Sequence, residues 1–295
     1  KLIVSDLLVH DNKELSSFYG FEQLEHVGGA LSIVGNSLLG HLDGLAKLSS
    51  IGKGIQLDDN VALQQFDALV NISKVSERVS ITRNGKIRNL KGLGGLANAG
   101  TQGLFIEGNA LLRTDEGLNR LVGAGKQLVF RKNSQLKHIK NLQLLQHVEE
   151  LRIEDNLELE AVDGFPMLQV LDRLYLHYNK SLVTVAGFPK VTLIDAIEVE
   201  GNKNMQTLNG FPFLKVATSL HLEANQTLSE VRFKKLDTVS TFDIIDSMAF
   251  TSFKGFLPLK NIKVLKICNT GLSQLSVENF VKSRHDPKPT LKFCD

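Results

Sequence analysis

An asparagine returns along this chain as Asn12, Asn36, Asn60, Asn84, Asn109, Asn133, Asn156, Asn179, Asn202 and Asn225. Ser247 and Asn269 continue the series, and the successive intervals are 24, 24, 24, 25, 24, 23, 23, 23, 23, 22 and 22 residues. A period of this size marks a repeat architecture, in which each unit buries its apolar face only against its neighbours. Around each slot runs one pattern, L-x-I-x-x-N-x-x-L-x-x-L-x-G-F-x-x-L-x-x-V, which residues 174–194 show completely. Leu174 and Leu176, two apart, share the inward face of a short strand in which residues alternate in and out, and the later apolar residues fall about every third position. That spacing is too sparse for an amphipathic helix and suits short extended segments joined by bends. The pattern predicts a mainly β solenoid, a stack of about twelve coils of 22–25 residues, right-handed β-helix-like or leucine-rich-repeat-like. Stacked coils stand ~4.8 Å apart, the strand spacing of a sheet.

The slots have structural readings first. An Asn amide both donates and accepts, so the column forms a ladder at a buried corner. Ser247 can fill that role only in part, which predicts a locally weaker coil. Gly20, Gly44, Gly92, Gly117, Gly164, Gly187, Gly210 and Gly255 share a bend slot that calls for a left-handed residue or close packing. Phe165-Pro166, Phe188-Pro189 and Phe211-Pro212 follow it in three consecutive coils and predict stacked inward rings.

A length of 295 residues alone suggests about two domains. The period replaces that count, because a solenoid has no single core whose growth must stop. One domain is expected: residues 1–264 as the repeat body, and 265–295 as its last coil and C-terminal cap, where the period breaks and Lys282 to Pro287 is polar. The connection between coils also shortens along the chain, as from Val27–Leu31 to Val148–Leu151.

The repeat is similar to a leucine-rich repeat in its L-x-x-L-x-L-x-x-N segment, carried by Leu171, Leu174, Leu176 and Asn179. The continuation N-x-x-L, as in Asn109-Ala110-Leu111-Leu112, and the trailing Gly-Phe or Gly-Leu resemble receptor L-domain repeats. The resemblance covers residues 7 to about 275. It implies a rigid solenoid of a surface or secreted protein that works by binding.

Composition narrows the function classes. A net charge of +2 leaves no electrostatic footprint for nucleic acid, and no apolar run reaches the ~18 residues of a membrane span. Metal-site spacings, a nucleophile elbow and a cofactor pattern are all missing from the sequence. Gly92-Leu93-Gly94-Gly95 falls on the bend slot and lacks the Lys of a phosphate loop. No enzyme activity is expected. Both cysteines, Cys268 and Cys294, lie near the C-terminus. A disulfide between them would staple that end and belong to an oxidising compartment, whereas two free thiols would suit a cytosolic scaffold. The chain starts at Lys1, as a processed or trimmed product would, and its N-terminal edge reads as a truncation or an assembly surface. Of three glycosylation triplets, those at Asn179 and Asn225 fall in the ladder, so Asn71 is expected to carry any glycan.

Function is therefore sought in the outward columns. The first carries Ser32, Gln56, Ser80, Phe105, Val129, Arg152, Tyr175, Glu198, His221 and Asp243. The second carries Val34, Asp58, Thr82, Glu107, Arg131, Glu154, His177, Glu200 and Glu223. Phe105 and Val129 form an apolar pair, and Tyr175, His177 and Tyr178 place three rings on one coil. With Arg152 and His221, these residues are the expected anchors for a protein or glycan ligand. Glu198, Glu200, Glu223 and Asp243 gather beside His177 and His221, where a metal, a basic ligand or a Lys would offset their repulsion. The columns lack the regular Thr ladder of an ice-binding face. The expected protein is extracellular or at the cell surface and binds or adheres through this face. The alternative is a structural subunit of an extracellular filament, wall or matrix.

Overall fold

The structure, a computed structural model, describes residues 1–283 and 288–294. It is a parallel β-solenoid of about thirteen turns with very little helix. One sheet of thirteen strands runs its length, from Leu7–His10 and Leu31–Val34 at one end to Asn261–Thr270 and Thr290–Phe293 at the other. Equivalent slots pair across coils: Leu151 lies between Leu128 and Leu174, and Ile153 between Phe130 and Leu176. A five-stranded sheet of two-residue strands, His138–Ile139 to Glu230–Val231, supports the middle coils from another side. A three-stranded sheet from Leu2–Ile3 to Ser50–Ile51 supports the first.

The core is the set of inward columns. Leu31, Leu104, Leu151, Leu174 and Leu220 are buried, and each such side chain gains about 1.5–3 kcal/mol on leaving water. The inward rings stack as expected: Phe165 on Phe188 at 5.0 Å and Phe188 on Phe211 at 4.7 Å. The asparagine ladder repeats one bonding unit. The Asn36 Oδ1 accepts the backbone N–H of Asn12 at 3.1 Å, while its Nδ2 donates to the Val9 carbonyl at 2.9 Å. The same unit recurs up to Asn225, whose Nδ2 reaches the Val199 carbonyl at 2.7 Å. Each amide thus satisfies two backbone groups of the preceding coil that burial would otherwise leave unpaired.

One slot assignment changes. The last coil places Thr270, not Asn269, beside Ser247. Asn269 sits one step earlier and donates to Asp246 at 2.9 Å. The left-handed residue of each coil is the one preceding the ladder, with φ between 47° and 68°, as at Asp11, Gly35, Arg83, Tyr178 and Ala224. Of the two roles expected of the bend glycines, most serve close packing. A Cβ at Gly255 would collide with the Val231 carbonyl, and Gly117 is one of the few with positive φ.

The shortening connection also has a structural consequence. Where three or four residues separate the corner from the strand, as between Ala99 and Leu104, the corner bulges. Where two remain, the corner flattens: Glu150–Glu154 and Arg173–His177 still start after it, and in the later coils the strand runs through it, giving the eight residues of Leu193–Glu200 and the ten of Thr238–Ser247. The bulged corners leave a groove of about 930 Å³ between the coils of Ser50 and Val170.

The C-terminal end closes with the helix Gln274–Lys282, whose N-cap Ser273 accepts the Ser276 N–H at 3.2 Å. Phe280 stacks on Phe253 at 3.9 Å, burying the end of the core. The chain then returns as Thr290–Phe293, one strand beyond the twelve coils counted in the sequence. Cys268 and Cys294 form a disulfide that ties this strand to its neighbour, with 5.0 Å between Cα atoms. Of the polar stretch expected to cap this end, Arg284, His285, Asp286 and Pro287 lie outside the described residues.

Candidate functional site

The outward columns lie in register on the long sheet. Phe105, Val129, Arg152, Tyr175, Glu198, His221 and Asp243 follow one another across seven adjacent strands. Glu107, Arg131, Glu154, His177, Glu200 and Glu223 form the neighbouring column. Strand alternation puts both on one face.

Arg152 is the hub of the central part. Its guanidinium lies 4.1 Å from the Tyr175 ring centroid, and it bonds Glu150 at 2.5 Å and Glu154 at 3.0 Å. Glu150 also accepts from Gln127 at 2.7 Å and meets Arg173 at 3.6 Å. Burial pulls the Arg152 pKa down, but Glu150 and Glu154 outweigh it and raise it on balance. Burial, then the Glu198 and Glu150 charges, raise the Tyr175 phenol. Glu150, Arg173 and Gln127 were not among the residues expected from the sequence. The available signal was their position two residues from the first outward column, on the same face.

His177 lies between Glu154 at 4.0 Å and Glu198 at 3.8 Å, with Tyr175 and Tyr178 edge-on at 5.5 and 6.1 Å. The three rings of this coil are thus brought together as expected. Tyr178, 46% exposed, donates its hydroxyl to Glu200, which raises the phenol pKa. Arg131 pairs with Glu154 at 3.7 Å across adjacent coils.

Two expectations are corrected. Val129 is not an exposed anchor: it is 4% exposed, enclosed between Phe105 and Arg152 on the flanking strands. Its partner Phe105 carries the Arg78 guanidinium 4.4 Å from its ring centroid. Nor do Glu198, Glu200, Glu223 and Asp243 converge on a metal position. His221 binds Glu223 at 2.8 Å and Asp243 at 3.4 Å, Glu198 faces His177, and Glu200 takes the Tyr178 hydroxyl. Among the described residues no three His, Cys, Asp or Glu side chains are grouped to hold a metal.

No protein family matches the chain, and no curated protein does. Among solved structures it is similar to the crystal structure of the pneumococcal vaccine antigen PcpA, at 13% identity and a TM-score of 0.26. That match covers 97% of this chain and 85% of the antigen chain. Among the described residues no helix is long and apolar enough to cross a membrane.

Proposed function

We propose that this chain is an extracellular or cell-surface binding protein, not an enzyme, and that the face around Arg152, Tyr175 and Tyr178 receives its ligand. The observation that carries this reading is the Glu150–Arg152–Tyr175 network. Its side chains are held by one another on a rigid parallel sheet, so binding orders few further rotamers. Tyr and Arg are the residue types that dominate protein interfaces, which favours a protein over a glycan at this part of the face. The Cys268–Cys294 disulfide supports an oxidising compartment. The test is retention of extracellular proteins by the immobilised full chain, compared with Tyr178→Asn and Arg152→Ala. A partner held by the parent chain and released by both variants supports the proposal. Equal retention by all three removes this face as the site.

A further inference from the structure

Toward the N-terminal end of the same face the outward columns change character. The first column carries the short Ser32 and Ser80 on either side of Gln56 on adjacent strands, while Phe105 follows on the next. Taller neighbours stand round these short residues, and a cleft of about 410 Å³ opens between them, inside the size range of small-molecule sites. Ser80 lines it. Its side chain points to the solvent side of the sheet yet is only 6% exposed, and its hydroxyl has no hydrogen-bond partner among the described residues.

The other polar groups of the cleft divide into those already used and those still open. Ser32 donates to the Gln56 Oε1 at 3.1 Å and bonds His10 at 2.7 Å. Asp58 accepts from Thr82 at 2.6 Å and from Arg83 at 2.5 Å. Left over are the Ser80 hydroxyl, the Gln56 amide N–H groups, the Arg78 guanidinium beyond its contact with Phe105, and the Glu77 and Glu107 carboxylates. Arg78 stands two residues before Ser80 on the strand, and Glu107 pairs with Thr82, two residues after it. Donors and acceptors therefore both line the cleft around the hydroxyl.

That arrangement selects among ligand chemistries. A simple anion meets Glu107 and Asp58, and a simple cation meets Arg78 and Arg83. An uncharged polyhydroxyl ring donates and accepts at every position, so it satisfies both kinds of group and the Ser80 hydroxyl together. We propose that the Ser80 cleft is a subsite for one neutral sugar unit of a glycan. It is separate from the Arg152–Tyr178 region and stands whether or not that region binds a partner.

The test is ligand-observed NMR on the full chain with the methyl glycosides of glucose, galactose and N-acetylglucosamine, at roughly 10 mM to populate a millimolar site. At least one glycoside is expected to bind. Ser80→Ala weakens it about fivefold, the worth of one neutral hydrogen bond. Ser80→Val, which fills the cleft with a strand-favouring side chain, weakens it at least about tenfold. Glu107→Gln, on the rim, weakens it with no disturbance of the floor. Tyr178→Asn leaves it unchanged, which separates this outcome from failure of the protein-binding face. The proposal is overturned if no glycoside binds, if Ser80→Val binds as well as the parent, or if free glycine or sulfate binds in the sugars' place.

Discussion

The Arg152 guanidinium lies over the Tyr175 ring of the next coil, 4.1 Å from its centroid, while Glu150 and Glu154 hold its edge. Three interactions therefore depend on one side chain; without it Glu150 keeps Gln127 and Arg173, and Glu154 keeps Arg131 and His177, but each loses its shortest charged contact. Arg152→Ala is expected to destabilise by about 2 kcal/mol, the loss of two charge-assisted hydrogen bonds and the contact with the ring. Arg152→Lys recovers little, because an ammonium cannot bond two carboxylates in a plane and stack on a ring together. Urea unfolding of the three proteins checks this. A lysine variant as stable as the parent would show that the charge alone matters.

Ser247 occupies a ladder slot with a side chain too short for the full unit. Its hydroxyl accepts the Asn225 N–H at 3.3 Å and donates to the Ile245 carbonyl at 2.9 Å. Among the described residues no amide reaches back to the Leu222 carbonyl as Asn225 does to Val199. Ser247→Asn is expected to stabilise the C-terminal coils by about 1 kcal/mol, one hydrogen bond. Hydrogen exchange localises the gain, which should fall on residues near 220–250. A loss of stability would mean that the coil after Ser247 has no room for the amide.

Among the described residues Asp115 is the one carboxylate in an inward column, where other coils carry Leu90 or Ile139, and it is fully buried. It accepts from the Lys140 N–H at 2.9 Å, the Asn141 N–H at 2.8 Å and the Asn141 amide at 2.7 Å. Burial raises its pKa above the ordinary 3.8, against those hydrogen bonds. The folded state thus holds the proton more tightly than the unfolded chain. Its contribution is fully present below the unfolded pKa and is lost as pH rises through the raised folded value. Asp115→Asn keeps an acceptor for both backbone N–H groups and removes the titration. Parent and variant should unfold alike in acid, with the variant gaining on the parent as pH rises. Urea midpoints across that range check it, and parallel pH profiles would contradict it.

Much of this was legible in the sequence because it depends on residue type recurring at fixed positions. The inward Leu and Ile columns, the Asn ladder and the stacked Phe165, Phe188 and Phe211 are of that kind. The left-handed position before each Asn was not, because Asp11, Arg83, Tyr178 and Ala224 share no chemistry that marks it. The Thr270 slot was missed because Asn269, one residue away, matched the residue type but not the register. At the candidate site the columns were readable, but their covering was not. Arg78 over Phe105, and Phe105 and Arg152 enclosing Val129, depend on long side chains crossing between coils. The division of the four carboxylates between His177, His221 and Tyr178 is likewise a matter of rotamers, not of spacing.

The three glycosylation triplets divide by burial. Asn179 and Asn225 are fully buried, and their amides donate to the Ile153 and Val199 carbonyls at 2.8 and 2.7 Å. A glycan on either nitrogen would remove a rung of the ladder and could not be housed between coils. Asn71 follows the turn Asp67–Leu69, faces solvent, and gives up only a 3.3 Å contact to the Ala46 carbonyl. Expressed through a secretory pathway, the folded protein should carry its glycan at Asn71, with Asn179 and Asn225 bare. Peptide mapping by mass spectrometry reads all three positions at once. Occupancy at Asn225 with Asn71 bare would overturn the register of the whole ladder.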